Sequence, residues 1–243
     1  GGSCDGQIIL NKEWDTSTIA DLSDHEIERM YNISSAKNKS IAQFGIASAC
    51  NFSLKNKSIP SYRLHIIYYN FPDIGKVGSK ITKSACEKLK TLYSNDLISP
   101  EDSIILIIND LVSPSLESSF TELNILLQNE IEDIELDGSI IDEMKKNNFP
   151  LEKIHFRNVT LLSIDSITNN ILNHRLVPPH NAIRSKKAIQ EILQKSNCKL
   201  NQLPIILKSD IISKYLRLSA GDVCEITRKS MKSGEYPFYR LCI

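Results

Sequence analysis

A chain of 243 residues, 41% hydrophobic and 24% charged, can bury a sizeable core as one large or two modest domains and has an ordinary globular composition. No apolar run approaches the roughly 18 to 20 residues a membrane helix requires, so no membrane partner is expected. The net charge of zero hides an asymmetry: residues 170–243 hold 13 Lys and Arg against 5 Asp and Glu (+8), and residues 1–169 hold 16 against 24 (−8).

Opposite charges on the two halves suggest two domains with different surfaces. The basic half invites an acidic partner, either nucleic acid or the acidic face of another protein. The opening "GGSCDGQ" lacks the charged and apolar leader of a signal peptide and reads as an added or cleaved end. Cysteines at 4, 50, 86, 198, 224 and 242 show no metal or disulfide spacing and are expected to be free thiols in a reducing compartment. The sequons at Asn32, Asn38, Asn51, Asn56 and Asn158 are expected to be chance products of an Asn-, Ser- and Lys-rich chain.

The first sixty residues are weakly patterned. Ser23 and Glu26 fit a capping box, with Ile27, Met30 and Tyr31 at helical spacing behind it. Residues 55–61 read as a polar loop closed by Pro60. Residues 63–69 predict a strand, and 79–92 a helix with Ile81, Ala85, Leu89 and Leu92 on one stripe. "SIILIIND" (103–110) predicts a strand buried on both faces, so strand, helix and strand form a βαβ crossover. Ser113 is the expected N-cap of the next helix, with Pro114 at its first position and Leu116, Phe120, Leu123 and Leu127 facing inward.

The acidic stretch 128–150 carries seven acids before its first base and reads as a solvated loop or insertion. Residues 155–162 predict a further strand. Beyond it, Ser185 caps a helix bearing Ile189, Ile192 and Leu193, and Pro204 turns the chain. Asp210 caps a short helix bearing Ile211, Ile212, Tyr215 and Leu216, which stops before Gly221. "DVCEITRK" and "EYPFYRLCI" predict a hairpin, with Gly234 available for positive φ. Pro237 cannot donate to a ladder, so its strand is an edge there or carries a bulge. The fold class expected is an α/β N-terminal domain (1–168, with 128–150 as an acidic insertion) plus a small α+β C-terminal domain (169–243).

No phosphate-binding loop, dinucleotide fingerprint, zinc-protease helix or nucleophile elbow occurs. "HRLVPPH" places His174 and His180 around Pro178-Pro179. A zinc site needs three or four ligands and Cys198 has no partner at ligand spacing, so no metal or cofactor is expected. A histidine-cysteine hydrolase ranks last among the readings. The prolines stiffen the segment, which reads as a rigid strap.

These pieces in order resemble one family. "HRLVPPH", then "NQLP" (201–204), the Asp-led helix 210–216, Gly221, and Arg228, Ser230, Gly234, Tyr236, Tyr239 and Arg240 at the chain end resemble the fifth common subunit of eukaryotic and large-virus DNA-directed RNA polymerases. The C-terminal domain is similar to the small archaeal polymerase subunit that corresponds to it. "KVGSK" (76–80) and "SPS" (113–115) resemble the family's N-terminal jaw domain more loosely. Arg175, Arg217 and Met231-Lys232 depart from the family pattern. Together with the Ile-, Asn- and Lys-rich composition they suggest a divergent protist or large-DNA-virus member.

The resemblance implies a structural subunit that is not itself an enzyme. Its partners would be the largest and other core polymerase subunits and downstream duplex DNA, with no small-molecule substrate. Ser113, Pro114 and Ser115, opening a helix, would approach DNA, since helix N-termini attract phosphate. His174, Val177, Pro178, His180, Arg228, Lys229, Tyr236, Tyr239 and Arg240 would form the subunit interface. Localisation would be nuclear in a cell, or the viral factory or virion for a virus. The alternative is a free-standing nucleic-acid-binding module that uses the basic domain.

Overall fold

The computed structural model describes residues 13–33, 50–69, 84–149, 151–168, 171–230 and 234–243. The "KVGSK" stretch, Ile81 and Met231-Lys232 lie outside them. The fold is mixed α and β with two four-stranded sheets. The described residues divide into two compact units, one drawn from Lys12–Asn147 and Phe156–Thr168, the other from Asn148–His155 and Asn169–Ile243. Among them no helix is long and apolar enough to cross a membrane.

The N-terminal unit opens with two short helices, α1 (Ser17–Ala20) and α2 (Asp24–Ile33). The expected capping box starts α2: the Ser23 N–H donates to Glu26 Oε2 (2.9 Å) and the Glu26 N–H to Ser23 Oγ (3.3 Å). Strands β1 (Phe52–Lys55) and β2 (Arg63–Tyr69) pair antiparallel. Their connection is the polar loop expected. Asn56 Oδ1 accepts the N–H groups of Ser58 (2.9 Å) and Ile59 (3.0 Å), which folds it into an Asx turn. Asn56 and Asn158 are buried, so these two sequons are closed to glycosylation.

Helix α3 (Ser84–Ser94) links β2 to β3 (Ser103–Ile108), which lies parallel to β2 as the crossover predicts. Every β3 residue is buried, as the unbroken aliphatic run implies. Helix α4 (Pro114–Glu132) follows, then α5 (Gly138–Asn147), β4 (Val159–Ser163) parallel to β3, and α6 (Ile164–Thr168). The sheet order is β1-β2-β3-β4. Ala85, Leu89 and Leu92 of α3 and Leu116, Phe120, Leu123 and Leu127 of α4 pack with Ile67, Ile104, Leu106, Ile108, Val159 and Leu161 in one core. Each such Leu or Phe contributes about 1.5–3 kcal/mol by leaving water.

Two local expectations are corrected. Most of residues 128–149 is helical rather than a loop, in the last turn of α4 and in α5, and several of its carboxylates are engaged internally. Glu130 pairs with Arg157 (2.7 Å) and Lys90 (3.2 Å), and Glu143 accepts from the Ser61 N–H and Oγ (both 3.1 Å). Asp137 accepts the Ser139 N–H (2.8 Å) at the start of α5, and those Ser139 bonds lower its pKa. The strand expected from 155 begins only at Val159. His155 ends a 3-10 turn and Arg157 sits at φ +51°, which breaks the extended backbone before β4.

The C-terminal unit contains β5 (His180–Ile183), α7 (Lys186–Lys195), β6 (Ile205–Ile206), α8 (Ile211–Leu216), β7 (Val223–Ser230) and β8 (Gly234–Cys242), with strand order β5-β7-β8-β6. Ser185 and Asp210 cap α7 and α8 as expected, accepting from Ala188 N (3.5 Å) and Ile212 N (2.8 Å). Helix α8 ends at Arg217 in the left-handed region (φ +52°), a conformation that glycine adopts at no steric cost. Gly234 takes positive φ (+70°) at the hairpin. The β7–β8 register runs unbroken from Val223↔Leu241 to Ser230↔Gly234, so Pro237 carries no bulge. Because β6 reaches only Leu241 and Cys242, Pro237 lies on an open edge.

Cross-strand register fixes the two faces of this sheet. One carries Cys224, Ile226 and Cys242, packed with Leu216 of α8 and with Phe238. The other carries Val223, packed with Ile189 of α7 and with Tyr239 and Leu241. Residues 148–155, assigned by sequence to the first domain, pack in this second unit. Glu152 pairs with Lys186 (3.0 Å), the Ile154 carbonyl accepts from Ser219 Oγ (3.1 Å), and His155 Nε2 meets Asp222 Oδ1 at 2.8 Å.

Candidate subunit interface

The "HRLVPPH" segment enters the C-terminal unit through a 3-10 turn (Ile171–Asn173). The Val177 N–H donates to the His174 carbonyl (2.8 Å) and the Leu176 N–H reaches His174 Nδ1 (3.3 Å), which leaves Leu176 74% exposed. Val177 and Pro178 are half-buried, and the Pro179 carbonyl accepts the Thr227 N–H (3.0 Å), fastening the segment to β7. His180 stands opposite Ile226. Its Nδ1 is buried without a hydrogen-bond partner. Burial holds its imidazole pKa below the ordinary histidine value; the Pro178 carbonyl and Asp210 oppose this, and Arg240 and Arg228 add to it. Among the described residues no group of three or more His, Cys, Asp or Glu is arranged to hold a metal.

The remaining interface candidates separate by face. Arg228 lies opposite Tyr236, Ile226 opposite Phe238, and Cys224 opposite Arg240, so both arginines share a face with Phe238 and His180. The Arg228 and Arg240 guanidiniums sit 4.2 and 5.7 Å from the Phe238 ring centroid. Arg240 Nη1 also donates to the Ile205 carbonyl (3.0 Å). Lys229 and Tyr239 occupy the opposite face and are engaged within the chain. Lys229 pairs with Glu235 at 3.2 Å, and the Tyr239 hydroxyl donates to Glu225 (3.4 Å). Phe238 escaped the sequence reading, although the alternation Tyr236, Phe238, Arg240 marks it as a member of that face.

Ser113, Pro114 and Ser115 are exposed at the start of α4. Ser113 Oγ accepts the Leu116 N–H (3.3 Å) and lies 3.2 Å from Ser115 Oγ, with Pro114 at the first position. This is helix-cap geometry. Ser113→Ala should cost the N-terminal unit about 1 kcal/mol, read as a lower urea midpoint, while Ser115→Ala should leave the midpoint nearly unchanged.

A Ser–His–Asp chain appears that sequence reasoning missed. Ser53 Oγ lies 2.7 Å from His65 Nδ1, and His65 Nε2 lies 2.9 Å from Asp102 Oδ2. Ser53 and His65 are direct cross-strand partners, which places the hydroxyl on an open strand face rather than in a cleft. Asp102 is tied to the Arg63 N–H (2.9 Å) and the Ser99 N–H (3.3 Å), so the chain ties the start of β3 to β2 and β1. Catalysis would further require oxyanion donors aimed at a bound carbonyl.

Cys224 and Cys242 are buried against α8, and burial pushes both thiols up to about 11. Cys198 is half-buried beside an open groove of about 670 Å³ lined in part by Gln190, Gln194 and Lys199. At pH 8 an aromatic disulfide reagent should therefore modify Cys198 in the folded protein but reach Cys224 and Cys242 only after denaturant is added. Peptide mapping of the labelled protein checks this.

Residues 169–242 match the family described as RNA polymerase Rpb5, C-terminal domain. The chain is 28% identical over 177 residues to the DNA-directed RNA polymerases I, II, and III subunit rpabc1 of Dictyostelium discoideum, covering 73% of this chain and 72% of the relative. It is 40% identical over 72 residues to the DNA-directed RNA polymerase subunit Rpo5 of Methanosphaera stadtmanae, covering 30% of this chain and 92% of that relative. The corresponding subunit of Thermococcus kodakarensis is 43% identical over 74 residues, 30% of this chain and 89% of the relative. Archaeal relatives matched along nearly their whole length, and a eukaryotic one matched well beyond the C-terminal unit, place this chain in the family of the fifth common subunit of DNA-directed RNA polymerases.

Proposed function

We propose that this chain is a non-catalytic polymerase subunit whose C-terminal unit docks on the largest subunit and whose N-terminal unit serves as a jaw beside downstream duplex DNA. The observation that carries the reading is the family match over residues 169–242, the region in which the +8 charge is concentrated. An interface built on His174, Val177, Pro178, His180, Arg228, Tyr236 and Arg240 would meet acidic protein surface, whereas Lys229 and Tyr239 are engaged by Glu235 and Glu225 on the opposite face. Bond-making would belong to the large subunits, and this chain would supply scaffold and clamp surface. Ser113, Pro114 and Ser115 would approach DNA from the cap of α4. In a eukaryotic cell the protein would be nuclear; a viral member would work in the viral factory or virion.

The test is capture of partners by the tagged full-length chain from an extract of its source, at moderate salt and after nuclease treatment, read by mass spectrometry. Recovery of the two largest polymerase subunits is the expected result. Recovery of nucleic acid alone, lost on nuclease treatment and steeply salt-dependent, would replace this reading with the free-standing nucleic-acid-binding module.

A further inference from the structure

Two guanidiniums over one aromatic ring is a costly arrangement in an isolated protein. Each gains from the ring's negative face, but the two cations repel each other. Among the described residues, neither Arg228 nor Arg240 has a carboxylate within ion-pair distance. The Asp210 carboxylate acts on His180 and Cys224 of this face, and its Oδ1 is held by the Ile212 N–H (2.8 Å). His180 lies beside them as an uncharged imidazole at neutral pH, with its Nδ1 buried and lacking a partner. Lys229, next in sequence, has its charge matched by Glu235 on the opposite face. Among the described residues the basic charge of the hairpin is thus ion-paired on one face, at Lys229, and left without an ion pair on the other.

Resting on the subunit reading above, we infer that the Arg228–Phe238–Arg240 face, with His180 beside it, is the acceptor for an extended acidic segment of the partner polypeptide. Carboxylates at alternate positions of an extended strand project from one side about 6.6–6.8 Å apart. That spacing suits two guanidiniums that both lie within 5.7 Å of one ring centroid. Planar guanidiniums take carboxylates in bidentate fashion, and arginine with tyrosine is the usual composition of an interface anchor. Tyr236, exposed and directly opposite Arg228, supplies that aromatic element. A duplex is a poorer fit. Its binding spreads over roughly six to ten phosphates, whereas this face offers two guanidiniums, with the Asp210 carboxylate acting on the same face. The segment does not extend the sheet at β6, because Arg240 already occupies the Ile205 carbonyl and the Asp210 N–H the Leu207 carbonyl.

The experiment uses the full-length chain and two readouts. The first is fluorescence anisotropy with a labelled peptide alternating glutamate and threonine, about twelve residues long, against a labelled duplex of similar charge. The second is capture of the large polymerase subunits. Arg228→Gln and Arg240→Gln should each weaken peptide binding about tenfold and reduce capture, and Lys229→Gln should change neither by more than about twofold. Among the described residues Arg228 makes no hydrogen bond to the backbone, so Arg228→Gln decides the matter if Arg240→Gln, which loses its bond to Ile205, fails to fold.

Equal losses in Lys229→Gln, or no loss in either arginine variant, would overturn the inference and leave the subunit reading standing. Tighter binding of the duplex, lost in the same variants, would overturn it in favour of a phosphate site. Failure of the wild-type chain to capture polymerase subunits, with peptide binding still dependent on both arginines, would reject the subunit reading and keep the acidic-segment site.

Discussion

Asp222→Ala is expected to lower the stability of the C-terminal unit by about 3–5 kcal/mol, the range seen when one partner of a buried charged pair is removed. Asp222 is 3% exposed. Its Oδ1 lies 2.8 Å from His155 Nε2, its Oδ2 accepts the Ser219 N–H (2.8 Å), and Arg184 Nε stands 3.8 Å from that same oxygen. His155 and the Arg184 side chain are themselves buried. Alanine therefore strands an imidazole, a backbone N–H and part of a guanidinium in a medium that cannot solvate them. Asp222→Asn keeps an acceptor and should cost roughly half as much.

The variant should also release Ile154 and His155, which belong to this unit although the chain re-enters the N-terminal unit at Phe156. Hydrogen exchange followed by peptide mass spectrometry checks this directly. Protection should fall in peptides covering 151–155 and 219–226. Trp14, the single tryptophan, is buried in the N-terminal unit and reports on that unit in the same denaturant series. A loss below about 1 kcal/mol would mean that the His155–Asp222 pair contributes little beyond its desolvation cost.

What the sequence made legible follows the reach of the interactions involved. The β3 strand, the inward stripe of α4, the caps at Ser23, Ser113, Ser185 and Asp210, and the β7–β8 hairpin all depend on residues within a few positions of one another. Periodicity and cap chemistry are therefore enough to find them. The acidic stretch misled because its composition describes a solvated loop, while its fate is set by distant partners. Glu143 bonds Ser61, 82 residues away, and Glu130 bonds Arg157, 27 away. Strand β1 was missed because four residues with one buried side chain carry too little pattern.

The interface shows the same limit at finer scale. Arg228 and Lys229 look equivalent in sequence, yet a strand places neighbours on opposite faces. Only the register decides which one shares a face with Phe238. The edge-or-bulge alternative at Pro237 was likewise settled by pairing, since β6 is too short to reach it.

Asn124→Ala should destabilise the N-terminal unit by about 2–4 kcal/mol, through groups that no substitution at Asn124 other than an amide can satisfy. Strand β4 is the edge of its sheet, and with Asn158 bonded inward to Ile104, Val159 presents its N–H and carbonyl outward. The Asn124 side chain meets both: Oδ1 accepts the Val159 N–H (2.8 Å) and Nδ2 donates to the Val159 carbonyl (2.7 Å). Nδ2 donates as well to the Phe120 carbonyl within α4 (3.0 Å). One buried amide thus closes the sheet edge as another strand would and fixes α4 against it. Alanine leaves a buried donor and acceptor unmet. A carboxylate in the same place would lose the donor and add a buried charge, so Asn124→Asp should be at least as damaging as alanine. Asn124→Gln retains both groups but displaces them by a methylene, and should fall between alanine and wild type. Urea unfolding followed by Trp14 emission ranks the three variants. If Asn124→Asp proved as stable as wild type, the amide would not be what closes this edge.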